Sequence, residues 1–166
     1  ETATMLGHIL ADAGRFEEAL VAYREAVRVK PELIEPHSTM ASLLPQLGRP
    51  REALDSLRQA LLRAPQVGAL WVEALAIARG HQAWDQLLDL AAQAEARFGS
   101  DTMISAFVAN ALTAQGRDDE ALARIDAALE LEPTYPPAHT LRAHILLRKG
   151  DPAAAAGAAE TAARLL

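Results

Sequence analysis

The sequence has no cysteine, which excludes disulfide frameworks and thiolate metal sites and leaves the redox compartment open. Aromatic residues make up only 4% of the chain, so any core must be built from aliphatic side chains. Lysine occurs twice against fourteen arginines, and Asn110 is the one asparagine. The arginine bias and the alanine richness associate the chain with GC-rich bacterial genomes. No apolar run approaches the roughly 18 residues a membrane span needs, and no basic-then-apolar leader opens the chain. The expectation is therefore no membrane contact and a cytoplasmic location. Period-two alternation is missing too, which argues against a sheet. The net charge of −6 argues against nucleic acid, which needs a basic surface.

What is present is a phrase that recurs. Gly116 is followed by Arg117-Asp118-Asp119-Glu120-Ala121-Leu122 and, further on, by Ile125, Ala128, Leu129 and Pro133. It reads as a turn, an amphipathic helix and a stop. Acidic residues in a first turn suit the helix dipole, Ala121, Ile125 and Ala128 share one helix face, and proline cannot continue the helix. Gly14, Gly48 and Gly150 open the same phrase, each 34 residues or a multiple of 34 from Gly116. A fixed period of this size defines a repeat array.

Numbered so that the turn glycine is position 15, the repeats are 1–33, 34–67, 68–101, 102–135 and 136–166. Their formal charges are −2, +1, −3, −4 and +2. Position 27 is alanine throughout: Ala26, Ala60, Ala94, Ala128 and Ala162. Position 20 is Ala19, Ala53, Leu87, Ala121 and Ala155, and position 8 is Gly7, Ala41, Leu75, Ala109 and Ala143. Small residues there let two helices approach closely. Larger apolar residues at positions 7 and 11, among them Leu6, Leu10, Met40, Leu44, Val108 and Leu112, complete the packing face. Arg124 is expected to be exposed.

These residues resemble the tetratricopeptide repeat (TPR). The resemblance rests on the small position 8, glycine at 15, an aromatic at 17 (Phe16, Trp84), alanine at 20, Tyr23, Leu57 and Ile125 at 24, alanine at 27, and Pro31, Pro65 and Pro133 at 32. It covers essentially the whole chain. It implies an all-α fold: an α-solenoid forming a right-handed superhelix of about ten antiparallel helices in five repeats, with the first helix of each repeat lining a concave face.

The third repeat departs most, with Gln82 in place of the turn glycine, large Leu75 and Leu87, and Gly99 in place of proline. Gly80 is expected to end its first helix early. Pro50 and Pro152 fall where a helix first turn tolerates a missing N–H, and Asp151 suits an N-cap. Pro36 and Pro137 open first helices. Pro45 falls inside the last turn of one, which should end or bend there. The last helix is expected to turn Ala155, Ala159 and Ala162 toward its partner. The ends fall within repeats, so the chain is expected to be a fragment of a longer protein, able to self-associate through uncovered terminal helices.

Positions 2, 5, 9 and 12 share a helix face that, by the resemblance, lines the groove. The candidate ligand-binding residues are Thr4, His8, Ser38, Ser42, Val72, Ala76, Arg79, Met103, Asn110, Thr113, Thr140 and His144. Glu1 opens the same face. His8, Ser42, Ala76, Asn110 and His144 hold one position in successive repeats and are expected on one stripe. Short hydroxyls and amides there suit the backbone of an extended peptide, with an apolar stretch at Val72, Ala76 and Met103. Chaperone-binding members of the family hold a terminal carboxylate with lysine, arginine and asparagine in the groove; this face has no lysine and, of the charged donors, only Arg79 and nearby Arg148, so it does not resemble that clamp. Glycan-transferase relatives use an asparagine ladder, which a lone Asn110 cannot form.

His37 and His139, at position 4, are expected to be half-buried filler, and no HExxH, GxSxG, phosphate loop or EF-hand loop occurs. No catalytic residue, metal or cofactor is expected. The reading is a protein–protein interaction module with a protein or peptide partner. The alternatives are the non-catalytic repeat region of a larger bacterial transferase or oxygenase, and a self-associating structural segment.

Overall fold

The computed structural model describes residues 2–166. They form ten α-helices and no strand: α1 Thr2–Asp12, α2 Phe16–Val29, α3 Glu35–Leu43, α4 Pro50–Arg63, α5 Gly68–Gly80, α6 Trp84–Phe98, α7 Thr102–Ala114, α8 Asp118–Leu131, α9 Pro136–Arg148 and α10 Pro152–Arg164. Helices therefore alternate with the turns that the 34-residue period marks. The chain divides into two compact halves, one ending at Ile77 and the other beginning at Ala78. The division falls within α5.

The turns have one hydrogen-bond plan. In every repeat the N–H of position 16 donates to the carbonyl of position 11: Arg15 to Leu10, Arg49 to Leu44, Ala83 to Ala78, Arg117 to Leu112 and Asp151 to Leu146, all at 2.8–3.0 Å. This six-to-one bond closes a helix through a left-handed residue. Gly14, Gly48, Gly116 and Gly150 supply it with φ between 71° and 81°. In the third repeat Gln82 takes the same conformation, φ 57°, with a side chain that disfavours it. The closing bond from Ala83 to Ala78, 2.8 Å, holds it there. Gln82→Gly should therefore raise the stability of the C-terminal half by about 1 kcal/mol. A denaturant midpoint that fails to rise would show that the side chain costs nothing in this turn.

The second helices start on a recurring pair. Arg15 forks onto Glu18 (2.7 and 2.5 Å), Arg49 onto Glu52 (2.6 and 2.7 Å) and Arg117 onto Glu120 (2.8 and 2.7 Å). The hydrogen bonds from the arginine first, and its charge second, hold each of these carboxyls below the usual carboxylate range, against the opposing effect of burial. All are solvent-exposed and act on the local helix start more than on global stability. In the last repeat Asp151 does the work directly and accepts the Ala154 N–H at 3.0 Å, as its N-cap position predicts. Asp118 and Asp119 are paired with Arg148 and Lys149.

The small positions are buried, except Ala143 at position 8 of the last repeat, which is half-buried. Ala19, Ala41, Ala53, Ala60, Leu75, Leu87, Ala94, Ala109 and Ala121 have no exposed surface, and Ala26 and Ala128 have almost none. In the C-terminal half Ala109, Leu112, Ala121 and Ile125 form one cluster with Ala138 and Ile145. Position 24 is thus covered by the first helix of the following repeat. Leu146, Ala155 and Ala158 form a second cluster.

Five expectations are corrected. Leu6 is 51% exposed, beside Met5 and Ile9, which are also exposed; among the described elements α1 packs mainly on α2, which covers its other side. Ala159 is exposed and Ala158 buried in its place. Residues 155, 158 and 162 centre on the face toward α9, whereas position 24 at Ala159 is covered elsewhere by a following helix, and α10 packs on α9. Gly80 ends α5 at position 13, where Ala114 and Arg148 end α7 and α9, so that helix is not short. Arg124 is half-buried in an ion pair with Glu95, because position 23 points toward the neighbouring second helix. The fifth, the burial of two threonines, belongs with the site. The break at Pro45 is where the sequence places it. α3 stops at Leu43 and the chain continues as a 3-10 turn over Leu44–Leu47. Proline's missing N–H would have bonded Ala41, and the tighter turn avoids needing it.

His37 is buried filler, 7% exposed. Ser56 Oγ donates to the His37 carbonyl at 2.9 Å, so its one proton is used, and Nδ1, 3.4 Å from the same oxygen, is the donor in that contact. Nε2 is then a buried lone pair without a protein partner. Burial first, and the Arg63 charge second, push the imidazole pKa below its ordinary value. A depressed histidine pKa means stability that is full above the ordinary pKa and is lost as pH falls toward the folded one. The denaturant midpoint should fall on acidification below about pH 6.5, with a shallower fall in His37→Leu. Equal slopes in the two proteins would remove His37 from the account.

Candidate functional site

In the C-terminal half, one stripe from each of two first helices faces a common cleft. On α7 the stripe is Met103, Ala106, Phe107 and Asn110; on α9 it is Pro137, Thr140, Leu141 and His144. Both have spacing i, i+3, i+4, i+7, one helix face. Both occupy positions 2, 5, 6 and 9 of their repeats, so the array itself brings equivalent residues across from each other. The cleft has a volume of about 680 Å³. Tyr135, just before α9, and Arg79, in the last turn of α5, complete it.

The floor is apolar and the rim polar. Phe107 is buried. The Arg79 guanidinium carbon lies 5.1 Å from the Phe107 ring centre, a cation–π contact. Tyr135 is half-buried; burial first, then the charges of Glu132 and Asp101, raise its pKa against the opposing pull of Arg79. Its hydroxyl therefore stays protonated and able to donate. Met103 is 39% exposed at the cleft edge. Asn110 offers both a donor and an acceptor.

Five of the residues that the sequence nominates, Arg79, Met103, Asn110, Thr140 and His144, are thus brought together. Thr113 is not. It is 4% exposed, and its hydroxyl donates to the helix's own Ala109 carbonyl at 2.8 Å. A threonine satisfied by its own helix can be buried without a lost hydrogen bond, and this corrects its place on the open face. Thr4 is also buried, at 8%, although its hydroxyl finds no partner among the described residues.

The N-terminal half engages its nominated residues internally. Ser38 and Ser42 both donate to the Glu73 carboxylate, at 3.1 and 2.8 Å. His8 Nδ1 lies 3.1 Å from the Tyr23 hydroxyl, and its Nε2 lies 3.3 Å from Glu35. Val72 and Ala76 are half-buried on α5. Glu1 lies outside the described residues.

Phe107, Leu141 and Glu73 were not nominated, and all three occupy position 6. A position four residues after 2 and three before 9 lies on the same stripe, and that spacing is the signal that identifies them. Tyr135, in a loop, carries no such signal.

The architecture is that of an all-α helical-repeat protein. Family profiles described as TPR repeat and tetratricopeptide repeat match residues 7–48 and 108–165, and the chain belongs to the tetratricopeptide-repeat family. No curated protein matches the chain by sequence. Several solved structures share its fold. A crystal structure of MamA is 16% identical, with 96% of this chain and 93% of that one covered and a TM-score of 0.77. MamA from residue 41 to its end, from Desulfovibrio magneticus RS-1, is 19% identical over 99% of this chain and 93% of that one, at a TM-score of 0.78. YrrB, described as a TPR protein with an unusual peptide-binding site, is 18% identical over 98% of this chain and 84% of that one, at 0.71. At these identities the likeness is one of fold. No described helix is long and apolar enough to cross a membrane.

Proposed function

We propose that this chain is a non-catalytic protein-interaction module, and that the cleft between α7 and α9 holds an extended segment of a partner protein. The observation that carries this reading is the pair of matched stripes facing one cleft, apolar at its base and lined with hydrogen-bonding groups at its edge. An extended peptide presents alternate side chains to such a floor and free backbone amides and carbonyls to such a rim. Asn110 is the residue best suited to the backbone. It also costs roughly half a kcal/mol in a helix relative to alanine, which a ligand contact would explain.

Selection of displayed random peptides on the immobilised protein tests the reading. Selected peptides should bind Asn110→Ala and Met103→Ala about tenfold more weakly or worse, as expected when contacts near the centre of an interface are truncated. Thermal melting should be unchanged, or slightly raised for Asn110→Ala. Peptides whose affinity is indifferent to Asn110→Ala, Met103→Ala and Arg79→Ala alike would place the binding surface elsewhere.

A further inference from the structure

We infer that the segment bound in this cleft carries a single acidic side chain, aspartate or glutamate, flanked by apolar residues, and that Arg79 selects it. The inference rests on the peptide-binding reading of the same cleft. Among the described residues Arg79 is the one arginine or lysine of the lining, which also holds His144, and no carboxylate lines the cleft with them. Among the described residues its guanidinium takes part in no ion pair or hydrogen bond; its partner is the ring of Phe107. Most other arginines of the chain are paired with an acid. An arginine stacked on a ring is held in place by its flat face and keeps its N–H edges free. Those edges form a fork that matches a carboxylate with two parallel hydrogen bonds.

The surroundings set the form of the acid. The half from Ala78 onward carries twelve acidic against eight basic side chains, and the charges of Asp101 and Glu132 already act on Tyr135 at the cleft. A run of acids, a phosphorylated residue or a nucleic acid would meet this field over more than one charge, with one cation to offset it. A lone carboxylate meets only Arg79 at short range. Neighbouring apolar side chains fit Phe107 and Leu141 at the floor and Met103 at the edge beside them.

The test displays random peptides as internal inserts, so that no peptide carries a free C-terminus, with a parallel set displayed with free C-termini. Both are selected on the wild type, on Arg79→Gln and on Arg79→Glu. The expected result is enrichment, among the internal inserts, of one Asp or Glu at a fixed distance from an aliphatic or aromatic residue. These peptides should lose about tenfold or more in affinity on Arg79→Gln. Changing the peptide acid to its amide should cost as much, and the two changes together little more than either. Arg79→Glu should select Lys or Arg at the same place.

Peptides that depend on Met103 and Asn110 but show no acidic preference would overturn this inference and leave the cleft reading standing. Enrichment only in the free-C-terminus set would overturn it in favour of a chain-terminal carboxylate. Peptides indifferent to every cleft variant, or no enrichment at all, would overturn both.

Discussion

Gly7→Ala should destabilise the N-terminal half by about 2 kcal/mol, the net of an overpacking cost and a helix-propensity gain. In an ordinary helix interior this substitution is favourable by about 1 kcal/mol. Here a Cβ on Gly7 would lie 2.4 Å from Tyr23 Cε1, 2.7 Å from Cδ1 and 2.8 Å from Cζ. The ring cannot easily yield. Tyr23 has no exposed surface, its hydroxyl bonds His8 Nδ1 at 3.1 Å, and the His8 ring stands edge-on to it at 5.4 Å. The next repeat shows the compatible combination, Ala41 at position 8 with Leu57 at position 24, both fully buried. Gly7→Ala combined with Tyr23→Leu reproduces that pairing. The double variant should be more stable than the sum of the two single changes predicts, by about 1 kcal/mol or more. A midpoint that rises on Gly7→Ala alone would show that Tyr23 does not pack on Gly7.

That contact shows what the period can and cannot convey. A small residue at position 8 is legible because the period repeats it. Its strict need for glycine in the first repeat is not, since it depends on which side chain lies across from it. The left-handed turn in the third repeat is legible from register alone: Gln82 occupies the position of the glycines and keeps their conformation, because the closing bond from Ala83 to Ala78 recurs with the rest of the motif. The break at Pro45 is legible because proline's chemistry is local.

Burial near the edge of a face is less so. Thr113 and Asn110 lie three residues apart on α7, and composition does not say which is covered; the structure buries the hydroxyl that its own helix satisfies. Ala158 and Ala159 differ by one residue, and an alanine-rich helix gives no hydrophobic contrast to choose between them. Phe107 and Leu141 lie outside positions 2, 5, 9 and 12 because the helical stripe that faces the cleft contains a fifth position, 6. The pairing of Ser38 and Ser42 with Glu73 joins residues one repeat apart, and no local pattern announces it.

Ala128→Leu should cost about 1–3 kcal/mol through overpacking. Ala128 is 2% exposed at position 27, where every repeat has alanine and none is more than 5% exposed. The extra methyl groups would fall where α8 meets the start of α7, beside the buried Thr102, whose hydroxyl lies 3.5 Å from the Ala128 carbonyl. The matched control is Ala127→Leu, one residue earlier and exposed, which should stay within about 0.5 kcal/mol of the parent. Arg124 does not serve as a silent control on this helix. It pairs with Glu95, and their side chains are only 32% and 23% exposed. Arg124→Ala leaves that carboxylate half-buried and unpaired, at a cost of roughly 1–2 kcal/mol once partial exposure is allowed for. In denaturant titrations with unchanged m-values, the midpoints should fall in the order Ala127→Leu, Arg124→Ala, Ala128→Leu, the last lowest. Coincident midpoints for the two leucine variants would mean that α8 does not turn position 27 toward α7, and the register that places the fourth repeat, with Asn110 on the open face and Ala109 in the core, would fail with it.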